Sequence, residues 1–464
     1  MMFGLAGGAS VQKRSKFILG VTAILLAVVT AAPWLIPTST WIGRIESEAG
    51  ARLGAPVRIA AFRVALLPLP HATVHGLSVA AGAIAVQRIA VYPRLRSLLS
   101  DAPALRLIEF EQVGVTPKGV DLAQAAAAKP RSGAPLRIEQ VRASEVQIEL
   151  AAGKLPAFDA EADLNSGAAM PVDSARVSTR DGKAKLTIVP AGTVGTAGAA
   201  GTAGATGAEW QLTLEAKDWQ LPVGPPLRFD RLQAAGRIAG GKLDLGRITA
   251  VLYGGTAAGK AELSWQKGWR LAGDIKVTSV ELAALTQSLK LKSALTGKLD
   301  AAGPFRTQAT KPAGLAEAFN AEIAFDVRNG VLQGFDLASA AQSLFKGGAG
   351  GGSTQFDQLT GVVKVQGRAL KLQNVRVTSG VLKARGNVDI SASKQLAGRI
   401  DTEVKGTGGL VGVPLAVSGT LDAPVLLPTK GSMAGAVVGS VLLPGVGTSI
   451  GSTVGDKIGK MFGK

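Results

Sequence analysis

Apolar and polar residues alternate, one position at a time, along most of the chain after residue 53. From Leu382 to Ile390, for example, apolar or small residues alternate with Lys383, Arg385, Asn387 and Asp389. Because successive side chains of a strand point to opposite faces of a sheet, this pattern predicts half-buried antiparallel strands with one apolar and one wet face. Turn signals such as Gly240-Gly241 separate the strands. The pattern therefore predicts a mainly β fold, a long, twisted and curled antiparallel sheet of roughly twenty strands.

Helical patterns are few and short. The clearest are Thr38–Leu53, Val280–Lys290 and Leu337–Phe345, with an alanine run at residues 125–128. Helices of this number and length cannot cover a sheet of the predicted size.

An internal repeat supports a sheet built by copying one unit. Residue 232 aligns with residue 359, and residue 263 with residue 390, without a gap. The alignment matches Gly240 with Gly367 and Gly259 with Gly386, and it matches apolar positions while the polar ones vary. Repetition of this kind extends a sheet by adding similar groups of strands.

An uncharged segment near the N-terminus predicts a membrane anchor. Residues 17–36 are apolar and long enough to cross about 30 Å of hydrocarbon as a helix. The anchor residues that we single out are Phe17, Leu25, Leu26, Val28, Trp34 and Ile36. Basic residues at positions 13, 14 and 16 place the N-terminus in the cytoplasm and the remainder outside it. A cleaved signal peptide is the alternative, with a cleavage site near Val29-Thr30-Ala31, but we favour an uncleaved anchor.

Charge and cysteine content narrow the function classes. The chain has 51 Lys and Arg against 33 Asp and Glu, a net charge of +18, and no cysteine. The absence of cysteine excludes disulfides, thiolate metal sites and cysteine nucleophiles. A positive chain suits nucleic acid or an anionic membrane. Its cations are scattered singly rather than clustered with aromatic residues, so we expect no nucleic-acid partner and favour anionic lipid.

The apolar face of so long a sheet needs a covering. It can pack on a second sheet as a closed sandwich or barrel, or it can curl into an open groove that holds a ligand. A groove of aliphatic side chains could hold acyl chains while the lipid headgroups stay in water. The lining residues that we predict for such a groove are Leu243, Leu245, Ile248, Ile323, Phe325, Val327, Leu370, Leu372, Val375, Val377, Leu382, Val388 and Ile390.

Several segments resemble the AsmA family of Gram-negative envelope proteins. The resemblance rests on RIESEAGARLGAPVRI (44–59), LLPLPHATVHGLSVA (66–80) and IAVQRIAVYPRLRSLL (84–99), and farther on Leu315–Leu337, Phe356–Val404 and Val413–Pro428. It implies a long β-groove anchored in the inner membrane, related to bridge-like lipid-transfer proteins, with a role in phospholipid movement that maintains the outer membrane. It favours the open groove over the closed sandwich.

Motifs associated with catalysis are incomplete. Residues 254–260 (GGTAAGK) match a phosphate-binding loop until Ala261 replaces the required hydroxyl. Residues 447–451 (GTSIG) match a nucleophile elbow around Ser449 without the surrounding α/β pattern. His71 and His75 lack the Glu of a zinc protease motif. We therefore expect no enzyme, no metal and no cofactor; a hydrolase at Ser449 is a weak alternative.

Small residues recur every fourth position near the C-terminus. Gly447, Gly451, Gly455 and Gly459 would line one helix face and allow close helix packing. A basic end follows them, at Lys457, Lys460 and Lys464. This tail is predicted to contact the outer membrane or an integral membrane partner. Alternatively it covers the edge of the last strand.

The predicted organisation has six parts. They are a basic cytoplasmic N-terminus (1–16), an anchor (17–36), an N-terminal β region (37–190), a flexible Gly/Ala/Thr loop (191–208), a repeated β region (209–428) and the tail (429–464). We expect a single-pass inner-membrane protein, mostly periplasmic, that shields phospholipid acyl chains and supports phospholipid transport and outer-membrane biogenesis. The alternative is a scaffold that binds outer-membrane proteins along its strand edges.

Overall fold

The computed structural model describes residues 38–429 and 431, except 68, 100–103, 128–136, 151–152, 165–171, 192–208, 223, 290–294, 343–351 and 407–408. Within these residues the chain is mainly β, with 23 strands and few helices, as the alternation predicts. It divides into two compact units, Met1–Thr193 and Val194–Lys464, which we call unit 1 and unit 2.

Unit 1 contains one mixed sheet. Its strands are β1 (Val57–Arg58), β2 (Ala61–Ala65), β3 (His71–Val79), β4 (Ile84–Pro93), β5 (Ala104–Val115), β6 (Arg137–Leu150), β7 (Gly153–Lys154), β8 (Phe158–Leu164), β9 (Val172–Thr179) and β10 (Ala184–Pro190). Strands β1 and β2 both pair with β3, and the sheet continues through β4, β5, β6, β8, β9 and β10. Strand β7 pairs only with the end of β6 among the described strands.

The prediction of a wholly antiparallel sheet is wrong at β5 and β6, which are parallel. A parallel neighbour needs a long crossover connection, and helix α2 (Pro117–Ala127) lies within it. Thr116 precedes this helix, and its hydroxyl accepts a hydrogen bond of 3.4 Å from the amide of Gly119, while Pro117 occupies the first turn. The predicted alanine run, as far as residue 127, is therefore the C-terminal end of a longer helix that begins at Pro117.

Helix α1 (Thr38–Leu53) has the bounds that the sequence predicts. Gly54 follows its last residue in a left-handed conformation, with a φ of 69°. The Gly54 amide donates a hydrogen bond to the carbonyl of Gly50 and so terminates the helix. Glu46 attaches the helix to the sheet, because its carboxylate accepts a 2.7 Å hydrogen bond from the amide of Ile59.

Unit 2 is an antiparallel meander in which each strand pairs with the next. Its strands are β11 (Trp210–Gln220), β12 (Arg228–Ala239), β13 (Lys242–Leu252), β14 (Gly255–Ser264), β15 (Trp269–Glu281), β16 (Lys298–Ala309), β17 (Asn320–Gln333), β18 (Ser353–Gln366), β19 (Ala369–Thr378), β20 (Leu382–Ile390), β21 (Leu396–Gly406), β22 (Gly409–Thr420) and β23 (Ala423–Pro428). Among the described residues no pairing joins β23 back to β11, so this sheet is open rather than a closed barrel.

Two short helices flank the unit 2 sheet, and the first is shorter than its pattern predicts. Helix α3 covers Leu282–Ser288 because Val280 and Glu281 pair with Leu299 and Lys298 of β16, so strand pairing overrides the local helical pattern. Helix α4 covers Leu337–Gln342, and the remainder of the predicted segment lies outside the described residues.

The predicted repeat is visible in the strand registers. Strand β13 has a bulge against β14 between Leu245 and Ile248, where two of its residues lie opposite one of β14. Strand β19 has the same bulge against β20 between the aligned residues Leu372 and Val375. Gly240 and Gly367 lie in turns with positive φ, whereas Gly259 and Gly386 lie inside strands. A β-carbon on either strand glycine would collide with the backbone of the next strand. The repeat therefore copies bulges and close strand approaches, which bend a sheet.

Side chains on neighbouring strands cap three of the bulges. The amides of Glu145, Ser279 and Asn374, all residues with positive φ, donate hydrogen bonds to Asp159 (2.9 Å), Asp300 (2.7 Å) and Asn387 (2.8 Å), respectively. A bulge leaves a backbone amide without its ladder partner, so an Asp or Asn oxygen on the adjacent strand satisfies it. The same solution occurs in both units.

Four segments of the predicted organisation, among them the basic N-terminus at residues 1–16, lie wholly or mostly outside the described residues. The other three are the anchor at residues 17–36, the Gly/Ala/Thr loop from residue 192 onward and the tail from residue 432 onward. Within the described part of the chain, no helix combines the length and apolar character needed to cross a membrane.

Candidate functional site

One face of the unit 2 sheet carries a continuous row of apolar residues and glycines that crosses the strands. Neighbours in this row are register partners: Ile248, Gly259, Ile275 and Gly303 on β13 to β16, then Ile323, Val363, Leu372, Val388, Gly398, Val417 and Leu426 on β17 to β23. The row passes from Gly303 on β16 to Ile323 on β17, because the Cα of Ile323 lies 3.0 Å from the position that a β-carbon on Gly303 would take. We call this surface the apolar face of unit 2.

All the lining residues predicted from the sequence lie on this face, in the central row or the rows beside it. Leu243, Leu245 and Ile248 come from β13, and Ile323, Phe325 and Val327 from β17. The others come from β19 (Leu370, Leu372, Val375, Val377) and β20 (Leu382, Val388, Ile390). Cross-strand register joins them, for example Leu372 to Val388 and Leu370 to Ile390.

Exposure of this face changes from one end to the other. Ile275 on β15 is 39% exposed, whereas Val417 and Leu426 on β22 and β23 are 3% and 1% exposed. Ile323 and Leu372, which lie between them, are half-buried. The apolar face is therefore open over its central strands and closed toward β23.

Helix α4 covers the closed part. Leu337 and Ala340 are 1% and 0% exposed and belong to one core cluster that includes Phe356, Val404, Leu415 and Leu426. The hydroxyl of Thr354 holds the start of the helix, since it accepts a 3.0 Å hydrogen bond from the Leu337 amide and donates one of 2.6 Å to the Phe335 carbonyl. Among the predicted lining residues, the protein itself buries Val327, Val377, Leu382 and Val388.

Unit 1 has an apolar face of its own, which the sequence analysis did not identify. Its central row consists of the register partners Phe62, Val74, Ile89, Phe110, Ala143, Ala160, Val177 and Leu186, and each of these residues is half-buried. Strand β4 hides the signal because its other face is apolar too, with Val86 and Ala90 buried there. The bulge at Glu145 hides it in β6 by shifting the alternation by one residue. Searching for alternation that resumes after a one-residue shift would have found this row.

The opposite face of the unit 2 sheet is charged and wet. In unit 2 cross-strand partners form ion pairs, such as Lys260 with Asp274 at 3.4 Å and Lys364 with Glu322 at 3.4 Å. In unit 1 Arg88 contacts Glu111 at 2.7 Å. Such exposed pairs contribute little stability but keep this face in water. The unit 2 sheet therefore has ion pairs on one side and aliphatic rows on the other, whereas in unit 1 the face that carries the Arg88 ion pair also buries Val86 and Ala90.

The histidines and the apparent phosphate-binding motif lie on strands. His71 and His75 are both on β3, and the His71 ring stacks on Tyr92 with ring centroids 5.2 Å apart. Burial, followed by the charge of Glu109, raises the pKa of Tyr92. Residues 255–260 are part of β14 rather than a loop that begins a helix. Within the described ranges, no three acidic or histidine side chains are grouped closely enough to hold a metal ion. Ser449 and the anchor and tail residues lie outside those ranges.

The fold and its faces define a class of open, one-sided β-sheet proteins. The model of the AsmA family matches residues 120–373, more than half of the chain, and the chain therefore belongs to the AsmA family. The match includes Leu315–Leu337 from the resemblance noted in the sequence, but it covers the middle of the chain rather than the N-terminal motifs. The chain matches no curated protein and no solved structure. Membership supports an envelope-related function.

Proposed function

We propose that the chain shields the acyl chains of phospholipids on the apolar faces of its sheets and so supports phospholipid movement across the envelope. The single observation that carries this proposal is the open part of the unit 2 apolar face, where Ile275 remains 39% exposed between its register partners Gly259 and Gly303. Monomeric proteins rarely leave a contiguous apolar surface of this kind exposed unless it binds something.

The dimensions of the open part suit acyl chains. Strands β13 to β19 span about 29 Å at about 4.8 Å per strand, and an extended fatty tail is somewhat shorter than that. Ion pairs coat the opposite face, so a lipid with its tails on the aliphatic row has its headgroup at the edge of the sheet, in water. Shielding of this type needs no catalytic group, and we propose a non-enzymatic protein.

The proposal includes a location. The positive charges before residue 17 and the uncharged segment that follows support an inner-membrane anchor with both units in the periplasm. The glycine-spaced tail supports a contact with the outer membrane or with an integral partner.

Site-specific photo-crosslinking in cells tests the proposal. A crosslinking residue at Leu372, which is half-buried on the open face, is expected to capture phospholipid. One at Lys371, on the opposite face, is expected to capture none. A third, at Val377, lies on the same face as Leu372 but is only 5% exposed, and it is expected to capture little.

The pattern of capture separates this function from the scaffold alternative. Lipid at Leu372 but not at Lys371 supports a lipid-shielding face. Equal capture at both positions, or capture of polypeptide instead of lipid at Leu372, contradicts it.

A further inference from the structure

The turns at one end of the unit 2 strands form a continuous rim. It consists of residues 265–270 around the β14–β15 turn, residues 310–319 between β16 and β17, and residues 366–368 between β18 and β19. Trp269 is the register partner of Ala309, and the amide of Gly367 donates a 2.7 Å hydrogen bond to the carbonyl of Phe319. These contacts place the turns side by side.

Two tryptophans lie at this rim. Trp265 is 37% exposed, and its ring stacks on that of Trp269 with centroids 6.1 Å apart and planes inclined by 28°. The amide of Trp265 donates a 3.0 Å hydrogen bond to the carbonyl of Gly241, which fixes the backbone that presents the ring. A large ring held at an exposed turn costs free energy in water, and an indole suits the boundary between water and lipid.

Four exposed cations lie in the same rim as the tryptophans. Lys267, Arg270, Lys311 and Arg368 are exposed, and none of them forms an ion pair within the described part of the chain. Arg270 donates a 3.0 Å hydrogen bond to the neutral side chain of Gln308. Within the strands, some cations, such as Lys260 and Lys364, are paired with carboxylates of the neighbouring strand. Among the residues that form the rim, Glu317 is the one acidic residue, so the rim remains positively charged.

We propose that this rim docks on the surface of an anionic phospholipid bilayer, with Trp265 entering the headgroup region and the four cations meeting lipid phosphates. Charge complementarity selects an anionic partner, and the exposed indole selects one with an apolar layer beneath its charges. A nucleic acid would use the cations, but the two indoles stack on each other and leave no open aromatic face between them for a base. This docking goes beyond the proposed shielding of individual lipids, and it can be measured separately.

Vesicle binding by the full chain tests the docking. The chain is embedded in nanodiscs of phosphatidylcholine and mixed with vesicles of phosphatidylcholine alone or with phosphatidylglycerol as about one lipid in three. We expect binding to the anionic vesicles to fall about fivefold for each cation neutralised, and so about 25-fold in the double variant Lys267→Gln/Arg270→Gln. Trp265→Ala is expected to weaken binding severalfold, and Trp265→Phe to restore most of it.

A matched variant controls for total charge. Lys383 and Arg385 are also exposed and unpaired among the described residues, but they lie on β20, away from the rim. Lys383→Gln/Arg385→Gln removes the same charge and is expected to weaken binding by less than twofold. The proposal is overturned if the two double variants weaken vesicle binding equally, or if Trp265→Ala leaves it unchanged. It is also overturned if a soluble polyanion such as heparin binds the chain as tightly as the anionic vesicles do. Phospholipid that co-purifies with each variant reports on the shielding function independently.

Discussion

Phe356 on β18 lies directly opposite Gly330 on β17, and its ring takes the space that a β-carbon on Gly330 would need. The ring Cζ is 2.5 Å from that position. Phe305 faces Gly273, and Phe325 faces Gly361, in the same way. A ring that covers a glycine across a strand pair restores the packing that the glycine lacks while the backbone stays free to bend.

The first prediction concerns this pairing. Gly330→Ala would force the new methyl against the Phe356 ring and the Thr296 carbonyl, so we expect a loss of about 1–3 kcal/mol in the free energy of unfolding. Gly246→Ala is the control, because no atom lies within 4 Å of its β-carbon position, and its effect should stay within about 1 kcal/mol. Urea midpoints of the full chain measure both. Equal midpoints for the two variants would show that the ring moves aside without cost.

The second prediction concerns the capped bulges. Asn387→Ala leaves the amide of Asn374 without its 2.8 Å acceptor and should lower the stability by about 1 kcal/mol. Asn387→Asp keeps an oxygen in place and should remain close to the wild type. Hydrogen exchange at the Asn374 amide is the direct measurement, and it should accelerate in the alanine variant alone. Acceleration in both variants would argue that the cap acts through its amide group rather than its acceptor oxygen.

Alternation predicts the strands and their faces well, because it follows directly from backbone geometry. It predicts pairing partners less well, since a parallel pair such as β5 and β6 depends on which connection the chain uses and not on the pattern of either strand. Bulges interrupt it as well: at Glu145 one extra residue moves Val146 onto the face of Ala143. For this reason the apolar face of unit 1 is not evident from strict alternation.

The candidate site is predictable as a face but not in its exposure. Leu372 and Val377 are equivalent in the sequence pattern, yet one is half-buried and the other 5% exposed. The difference comes from the core around helix α4, whose position depends on contacts far away in the sequence, such as that between Leu337 and the strands beneath it. Alternation shows to which side a residue points, whereas tertiary packing decides what covers it.

The third prediction concerns helix α4. Leu337→Ala removes a side chain that is 1% exposed and should cost about 2–5 kcal/mol of stability, through lost burial and the cavity that remains. Ser339→Ala on the exposed side of the same helix should change stability by less than about 0.5 kcal/mol. Thermal unfolding compares them. A small effect of Leu337→Ala would mean that the helix contributes little to the closed end of the face.

The fourth prediction separates the apolar face from the wet one on a single strand. Ile275→Glu places a carboxylate in the open part of the face, where water still reaches 39% of the residue, so the protein should fold. Fatty tails should no longer cover that position, because an ionised group is costly to bury without a partner. Thr278→Glu introduces the same charge on the opposite face of β15, at an exposed residue, and should leave lipid content unchanged.

Mass spectrometry of co-purified lipid should therefore show a severalfold loss in the Ile275→Glu variant only. Equal lipid content in the two folded variants would mean that the open part of the apolar face does not hold lipid, and the shielding function would have to be abandoned for this part of the sheet.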